Sequence, residues 1–475
     1  MDSPHGPTHS IKLWPPSQTT RILLVNRMVK CFTTPSILSR KYGLLSKEEA
    51  EEEAKQIEIA GFMAATQQFE KDADNDGGSA VQVYAKESSR LMVEFMKTGP
   101  KPKENRETIP EPIKLDHVFD ISKAHVAASV LSSVKDQLTE VDLSDIVSRR
   151  PEPEAVEVMK MFSLALEGCK LSCLNLSNNV LNEKGVRAFG DLLKSQGNLV
   201  ELYLANAGIS AEAAKAVREL IQSTDKLKTL HFHHNKTGDE GAIAISQLVK
   251  GSPNLEDFRC SSTGVGSVGG IALAEALQTC KLLKKLDLRD NMFGPKAGVA
   301  LSNNVSMQAN LTEIYLSYMN LEDEGIIALA NAIKTSNAPL EVIEMAGNNI
   351  TSKSTNALAD CMVSKKQSLT KINLSENELK DEGVIAIGKA LEGDYGRLSI
   401  VDLSANGIKG DGAISLSKAV VGKSGFRLLN INRNFLSDKV IEGVREIFKN
   451  FPRMLGPLDE NGDDGKKEDG RDGVN

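Results

Sequence analysis

LKTLHFHHNKTGDEGAIAISQLV, residues 227–249, is one copy of a unit that runs through most of the chain. Leu227, Leu230, Phe232 and Asn235 fit a pattern LxxLxLxxN whose alternating middle is a short strand. The rest opens with Asp239-Glu240-Gly241, continues in small and aliphatic residues and reads as a helix; DEGIIALANAI (323–333) does the same. Units begin at Leu138, Leu171, Leu199, Leu227, Leu255, Leu283, Leu311, Leu340, Leu369, Leu398 and Phe426, at intervals of 33, then 28 five times, 29 three times, and 28. Such units bury their apolar faces by stacking on one another.

One strand and one helix per 28–29 residues is the leucine-rich repeat pattern, and the long, helix-bearing period resembles the ribonuclease-inhibitor-like class. The expected fold class is therefore an α/β leucine-rich repeat solenoid, a ribonuclease-inhibitor-like horseshoe of about eleven repeats, behind a small all-α domain. The leucines and the closing Asn point inward. Asn179, Asn235, Asn291, Asn348, Asn377, Asn406 and Asn434 read as a structural ladder serving buried backbone. Residues between the leucines face outward on the concave side. There Glu140, Asp142, Glu201, Asp257, Asp287, Glu313 and Glu344 give an acidic surface that Arg259, Lys285 and Arg289 interrupt. It suits a basic protein partner, or is simply solvated. One repeat, LVELYLANAGIS (199–210), has Ala207 in the ladder slot and Asn206 one place earlier, turned outward, which makes Asn206 a functional candidate.

The first hundred residues lack the period and read as three helices. The first spans about Gln18 to Phe32, with Ile22, Val25, Val29 and Phe32 on one stripe. The second follows Ser46 in a capping box with Glu49 and carries Ile59, Phe62 and Met63 on its apolar side. The third holds Val81, Tyr84, Leu91 and Phe95. TGPKPKENRETIPEP reads as a linker, and the polar, acidic tail from Pro457 as disordered.

Composition narrows the functions. Net charge is −7, aromatic residues make up 4% of the chain and there is one Trp, so nucleic acid is not an expected partner. No apolar run of membrane-spanning length and no secretory signal is present, so membrane insertion is not expected. Cys31, Cys169, Cys173, Cys260, Cys280 and Cys361 form no framework. Cys169 with Cys173, or His231 with His233, could begin a metal site, but neither pair has further ligands nearby, and no metal is expected. No P-loop, GxSxG or HExxH occurs, and GVGSVGG (264–270) reads as a repeat turn. The chain does not read as an enzyme with its own active-site chemistry.

KLWPPSQTTRILLVNRM (12–28) and SILSRKYGLLSKEEAEEEAKQIEIAGF (36–62) resemble the WPP domain of plants, named for Trp14-Pro15-Pro16. DLSDIVSRRPEPEA, LNLSNNVLNEKG, RCSSTGVGSVGGIAL and KLDLRDNMFG resemble the Ran GTPase-activating protein family, and the two together resemble its plant form over about residues 10–457. The resemblance implies a flexible N-terminus at 1–9, a WPP targeting domain at 10–98, a linker at 99–115, a repeat domain with GTPase-activating function at 116–456 and the acidic tail at 457–475.

It further implies stimulation of GTP hydrolysis by Ran in support of nucleocytoplasmic transport and mitosis. No arginine finger is involved: an Asn in a segment like LYLANAGIS, here Asn206, positions the catalytic Gln of Ran. No cofactor is implied, because GTP and Mg²⁺ are bound by the partner GTPase. Arg150 matches a contact residue after Asp145-Ile146-Val147-Ser148-Arg149, with Arg149 standing where the family has Gly. Tyr203, His231, Arg259, Asp287, Arg289 and Asp290 complete the expected contact surface for Ran in its GTP form. Trp14, Pro15 and Pro16 are the expected targeting knob for coiled-coil anchor proteins of the nuclear envelope. The implied location is the cytoplasm and outer nuclear envelope, with the cell plate and division apparatus in mitosis. The tail departs from the family's long acidic one through Lys466, Lys467 and Arg471, which implies slower association with Ran. The alternative is a repeat scaffold at the nuclear envelope with no activating power.

Overall fold

A computed structural model describes residues 14–34, 45, 47–71, 77–98, 113–114 and 119–462. The expectations for residues 1–9, the Ser46 cap, most of the linker and the tail beyond 462 lie outside the described residues. The chain divides into two units, on either side of residue 110.

The N-terminal unit is three helices, α1 (Gln18–Thr33), α2 (Lys47–Lys71) and α3 (Gly78–Thr98). Ser17 caps α1 by accepting from the Thr20 amide at 3.2 Å. Of Ile59, Phe62 and Met63, only Phe62 packs inward; Ile59 and Met63 are exposed, and the buried face of α2 is otherwise Ala50, Ala54, Ile57, Gly61 and Ala65. Small residues win here because α2 packs closely against both neighbours. A Cβ on Gly61 would lie 2.2 Å from Ser88 Oγ of α3. Likewise Met28 and Phe32 carry the α1 core, and Ile22 and Val81 are on the surface. Trp14 is 4% exposed, stacked on Phe62 at 5.0 Å and edge-on to Tyr84 at 5.6 Å, so its ring belongs to the core.

The core also holds a carboxylate. Glu58 is buried and accepts from Arg21 Nε and Nη2 at 2.7 and 2.9 Å and from the Tyr84 hydroxyl at 2.5 Å. Removing one partner of a buried pair strands the other charge. Arg21→Ala is expected to destabilise this unit by about 2–3 kcal/mol, at the low end because the Arg21 side chain is 31% exposed. Arg21→Met with Glu58→Met should cost less. Trp14, the sole tryptophan, makes fluorescence-monitored urea unfolding a readout of this unit alone.

The second unit is a parallel sheet of twelve strands in sequence order, with helices between them. The strands are β1 (Ile113–Lys114), β2 (Glu140–Asp142), β3 (Cys173–Asn175), β4 (Glu201–Tyr203), β5 (Thr229–His231), β6 (Asp257–Arg259), β7 (Lys285–Asp287), β8 (Glu313–Tyr315), β9 (Val342–Glu344), β10 (Lys371–Asn373), β11 (Ile400–Asp402) and β12 (Leu428–Asn430). The last eleven are the repeat strands. β1 falls inside the stretch read as linker and pairs with β2, Ile113 opposite Val141, capping the sheet edge. The other end is capped from the stretch read as tail: Leu458 is buried, and Asn461 Oδ1 accepts from the Asn434 amide at 2.8 Å.

Each repeat strand buries its middle residue, from Val141 through Leu202, Leu230 and Phe258 to Leu429. All seven ladder asparagines are buried and bonded to backbone. Asn235 is typical: Oδ1 accepts from the Ala207 and Ile209 amides, both at 3.1 Å, and Nδ2 donates to Leu204 and Phe232 carbonyls at 2.9 and 2.8 Å. Ala207 is not the one break in this ladder. Ile146, Thr263 and Met319 also fill the slot, so in the first seven repeats every second one lacks the Asn.

The Asp-Glu-Gly openings work between repeats. Asp239 Oδ1 accepts from the Gly266 and Gly269 amides at 2.6 and 3.0 Å, and Asp381 Oδ1 serves Lys409 and Gly412 likewise at 2.8 and 3.0 Å. A carboxylate on one helix thus caps the exposed amides that begin the next. GVGSVGG therefore belongs only partly to a turn, since Ser267–Leu277 is a helix. Glycine is required at 269, where a Cβ would lie 2.8 Å from Ala242 Cβ. Among the described residues no helix is long and apolar enough to cross a membrane.

Candidate functional site

The concave face is not uniformly acidic. Across β6 to β10 its charges are paired into a lattice. Arg259 bonds Asp257 through Nε and Nη2 at 3.1 and 2.9 Å, and Arg289 bonds Asp287 at 3.0 and 2.7 Å. Arg289 also reaches Glu344 at 3.3 Å and lies 4.8 Å from the Tyr315 ring centre. Lys371 bonds Glu344 at 2.5 Å and Lys285 bonds Glu313 at 2.7 Å. Four acids (Asp257, Asp287, Glu313, Glu344) thus meet four bases (Arg259, Lys285, Arg289, Lys371). Unpaired acid is left at the first strands, where Glu140, Asp142 and Glu201 meet no basic side chain among the described residues. The acidic end is the end that carries Asn206.

Asn206 lies in the turn after β4 and is exposed, with φ +49°. Its position is regular, not displaced. The residue before the ladder slot has positive φ in all eleven repeats: Asp145, Asn178, Asn206, His234, Ser262, Asp290, Tyr318, Gly347, Glu376, Ala405 and Arg433. A left-handed backbone favours Gly, Asn and Asp, which accounts for much of the list. The 206 turn is held as its counterparts in other repeats are. The Asn206 amide donates to the His233 carbonyl at 2.9 Å, and Ala207 and Ile209 are clamped by Asn235. The Asn206 side chain donates from Nδ2 to Asn178 Oδ1 at 2.9 Å. Its Oδ1 and second N–H have no partner among the described residues.

The other expected contacts fall into three groups. Tyr203 donates its hydroxyl to Glu201 at 2.6 Å and packs edge-on against His231 at 4.9 Å, so both line the concave face beside the Asn206 turn. His231 Nε2 lies 3.2 Å from Asp257 Oδ2. Burial pushes the Asp257 carboxyl up, but His231 and Arg259 outweigh it and hold it at about 2. Arg259, Asp287 and Arg289 belong to the lattice. Asp287 is 5% exposed and taken up by Arg289, so it braces that guanidinium rather than offering a carboxylate of its own. Asp290 is exposed at the edge and accepts from Ser262 at 3.3 Å. Arg150 is half-buried, 3.5 Å from Glu154, and Arg149 beside it has φ +63°, a conformation suited to glycine.

His231 and His233 both line the outward face, and both are half-buried. Burial, then neighbouring His231, His234 and Arg259, lowers the His233 pKa from 6.5 to about 4. Its Nδ1 is buried without a hydrogen-bond partner among the described residues. Below pH 6.5 the unfolded chain takes up a proton here that the folded chain refuses, so stability falls as pH drops from 6.5 towards 4. His233→Gln is expected to flatten that loss in urea unfolding titrations at pH 7, 5.5 and 4.5. No group of three His, Cys, Asp or Glu side chains among the described residues could hold a metal.

In the N-terminal unit Pro15 is exposed and Pro16 half-buried, while Trp14 is not on the surface. Of the expected three-residue knob, only the two prolines reach the surface, and the indole is in the core. Sequence reasoning missed an apolar groove of about 380 Å³ between α1 and α3, lined by Leu23, Leu24, Arg27, Met28, Ala85 and Met92 among others. The run Ile22-Leu23-Leu24 was its signal, because one helix face cannot bury all three; Ile22 and Leu23 are exposed.

The comparisons with known proteins agree with this two-part architecture. A family model described as WPP domain matches residues 10–106, and one described as Leucine Rich repeat matches residues 169–190, 226–246, 279–302 and 365–388. The chain is similar to RAN GTPase-activating protein 1 of Arabidopsis thaliana, 62% identical, with 96% of this chain and 92% of that protein covered. It is 52% identical to RAN GTPase-activating protein 2 of the same plant, with 98% and 93% covered. MFP1 attachment factor 1 of Solanum lycopersicum is 38% identical over 28% of this chain and 85% of its own length.

Proposed function

The chain belongs to the WPP-domain family of RAN GTPase-activating proteins, and from that premise we propose that it stimulates GTP hydrolysis by the small GTPase Ran through Asn206. The observation that carries the reading is an exposed carboxamide with a free acceptor and a free N–H, on a turn clamped by Asn235, at the acidic end of the concave face. An amide so held can grip the carboxamide of a glutamine on the GTPase and thereby orient the attacking water. The activator then contributes positioning and the GTPase supplies nucleotide and Mg²⁺. The cations of the concave face favour the same division of labour. Arg259 and Arg289 are each tied to a carboxylate on two sides, so reaching a phosphate would cost those bonds. They serve, with Arg150, Tyr203, His231 and Asp290, as contact surface for Ran in its GTP form, and Glu140, Asp142 and Glu201 attract basic groups on it.

The WPP domain carries the activator to the outer nuclear envelope, and to the cell plate in mitosis, by docking on coiled-coil anchors. The exposed Pro15 and the α1–α3 groove are the surfaces such a helix would meet, while the Trp14 ring packs on Phe62 in the core. This places Ran-GTP hydrolysis at the cytoplasmic side of transport. The test is single-turnover hydrolysis of GTP on purified Ran with and without the full chain. Acceleration by several orders of magnitude is expected. Binding of Ran·GTP with no acceleration would leave a non-activating scaffold in its place.

A further inference from the structure

We propose that Asn178 is a positioning residue for Asn206: it selects which way the Asn206 carboxamide faces. The inference rests on the role given to Asn206 above. The two residues occupy the same left-handed turn position in successive repeats, with φ +59° and +49°. Neither backbone is free to drift. The Asn178 amide donates to the Ala205 carbonyl and the Asn206 amide to the His233 carbonyl, both at 2.9 Å. The side chains therefore meet at fixed separation, and Asn206 Nδ2 donates to Asn178 Oδ1 at 2.9 Å.

That bond has a consequence for chemistry. A carboxamide on a solvent-exposed turn has two flips of similar shape, and only one offers a partner's amide its oxygen and its N–H in the right places. Asn178 presents its Oδ1, so Asn206 turns Nδ2 sideways and leaves its own Oδ1 without a partner among the described residues. Each molecule of Ran then meets a preset amide rather than one that must be turned after docking. The ladder Asn beside it, Asn179, is engaged wholly with backbone and cannot do this. In the repeat on the other side the corresponding residue is His234, to which the Asn206 side chain makes no hydrogen bond.

The test is the single-turnover rate of GTP hydrolysis on Ran at saturating activator, with the affinity for Ran·GTP measured separately. Asn178→Gly removes the acceptor and suits the left-handed backbone. Asn178→Asp keeps an acceptor oxygen in place and can no longer donate. Asn178→Gly is expected to lower the rate about fivefold with affinity unchanged, in line with the loss of one hydrogen bond. Asn178→Asp should restore most of that rate, and Asn178→Gly should cost nothing further in an Asn206→Ala background. Thermal unfolding of each variant checks that the fold is intact. A wild-type rate for Asn178→Gly beside a failed Asn206→Ala overturns the positioning role. A loss in Asn178→Asp as large as in Asn178→Gly overturns the acceptor assignment. Full stimulation by Asn206→Ala would overturn the role of Asn206 itself, and this inference with it.

Discussion

Asn206→Ala is expected to lower the stimulated rate of GTP hydrolysis on Ran by about a hundredfold to a thousandfold, the scale of losing one preorganised group that acts on the transition state. Affinity for Ran·GTP should change by less than about threefold, because one exposed amide is a small part of a contact surface built from several strands. The split between rate and affinity distinguishes the proposal from a scaffold, for which the substitution is silent in both. Alanine at φ +49° carries backbone strain of about 1–2 kcal/mol, so Asn206→Gly is the companion variant. It removes the amide, accepts the left-handed turn and should lose the same rate. Asn206→Asp should fail too. Its carboxylate has no N–H to offer a partner's amide and cannot make the bond that Asn206 Nδ2 donates to Asn178 Oδ1 at 2.9 Å. A wild-type rate from any of the three would remove Asn206 from the mechanism.

The path to Asn206 shows what the sequence carried and what it did not. The repeat period alone specifies the solenoid, because eleven strands in one register follow from it. The inward asparagines were legible for the same reason: a polar residue in step with leucines must be serving backbone. Ala207 marks out Asn206 only as a break in the ladder, and Ile146, Thr263 and Met319 break it as well. The positive φ of the preceding position is the real regularity, and φ is not written in one residue.

Pairing across the concave face was equally hidden. Arg289 and Glu344 are 55 residues apart and meet because β7 and β9 flank β8. Read singly, the seven acids of that face look like a surface potential. Read in register, most are tied to a base. The three N-terminal helices misled in another way. Periodicity weights large apolar residues, but where helices approach closely the buried positions are Ala and Gly, and Ile59 and Met63 are displaced outward. Glu58 was invisible to the same logic, since its burial depends on Arg21 and Tyr84 from two other helices.

Asn235→Ala is expected to cost about 3–5 kcal/mol and, alone among ladder substitutions tested against it, to weaken activation. The amide serves four buried backbone groups, the N–H of Ala207 and Ile209 and the carbonyls of Leu204 and Phe232. Each group left unsatisfied costs about 1–3 kcal/mol, and partial relaxation keeps the total below the simple sum. Two of the four belong to the turn that carries Asn206, and in a solenoid damage stays with nearest neighbours. The turn therefore loosens, and the stimulated rate should fall about tenfold. Asn434→Ala is the matched control. Asn434 is as buried and serves the Asn406 and Ile408 amides at 2.7 and 3.0 Å and the Leu403 and Ile431 carbonyls at 3.1 and 2.9 Å. It should lose similar stability in urea unfolding and keep the wild-type rate, because it sits at the far end of the sheet. Equal rates in the two variants would mean that Asn206 needs no rigid turn, and that activation depends on the amide alone. Unequal rates at equal stability would tie the ladder, a device of the fold, to the chemistry on its edge.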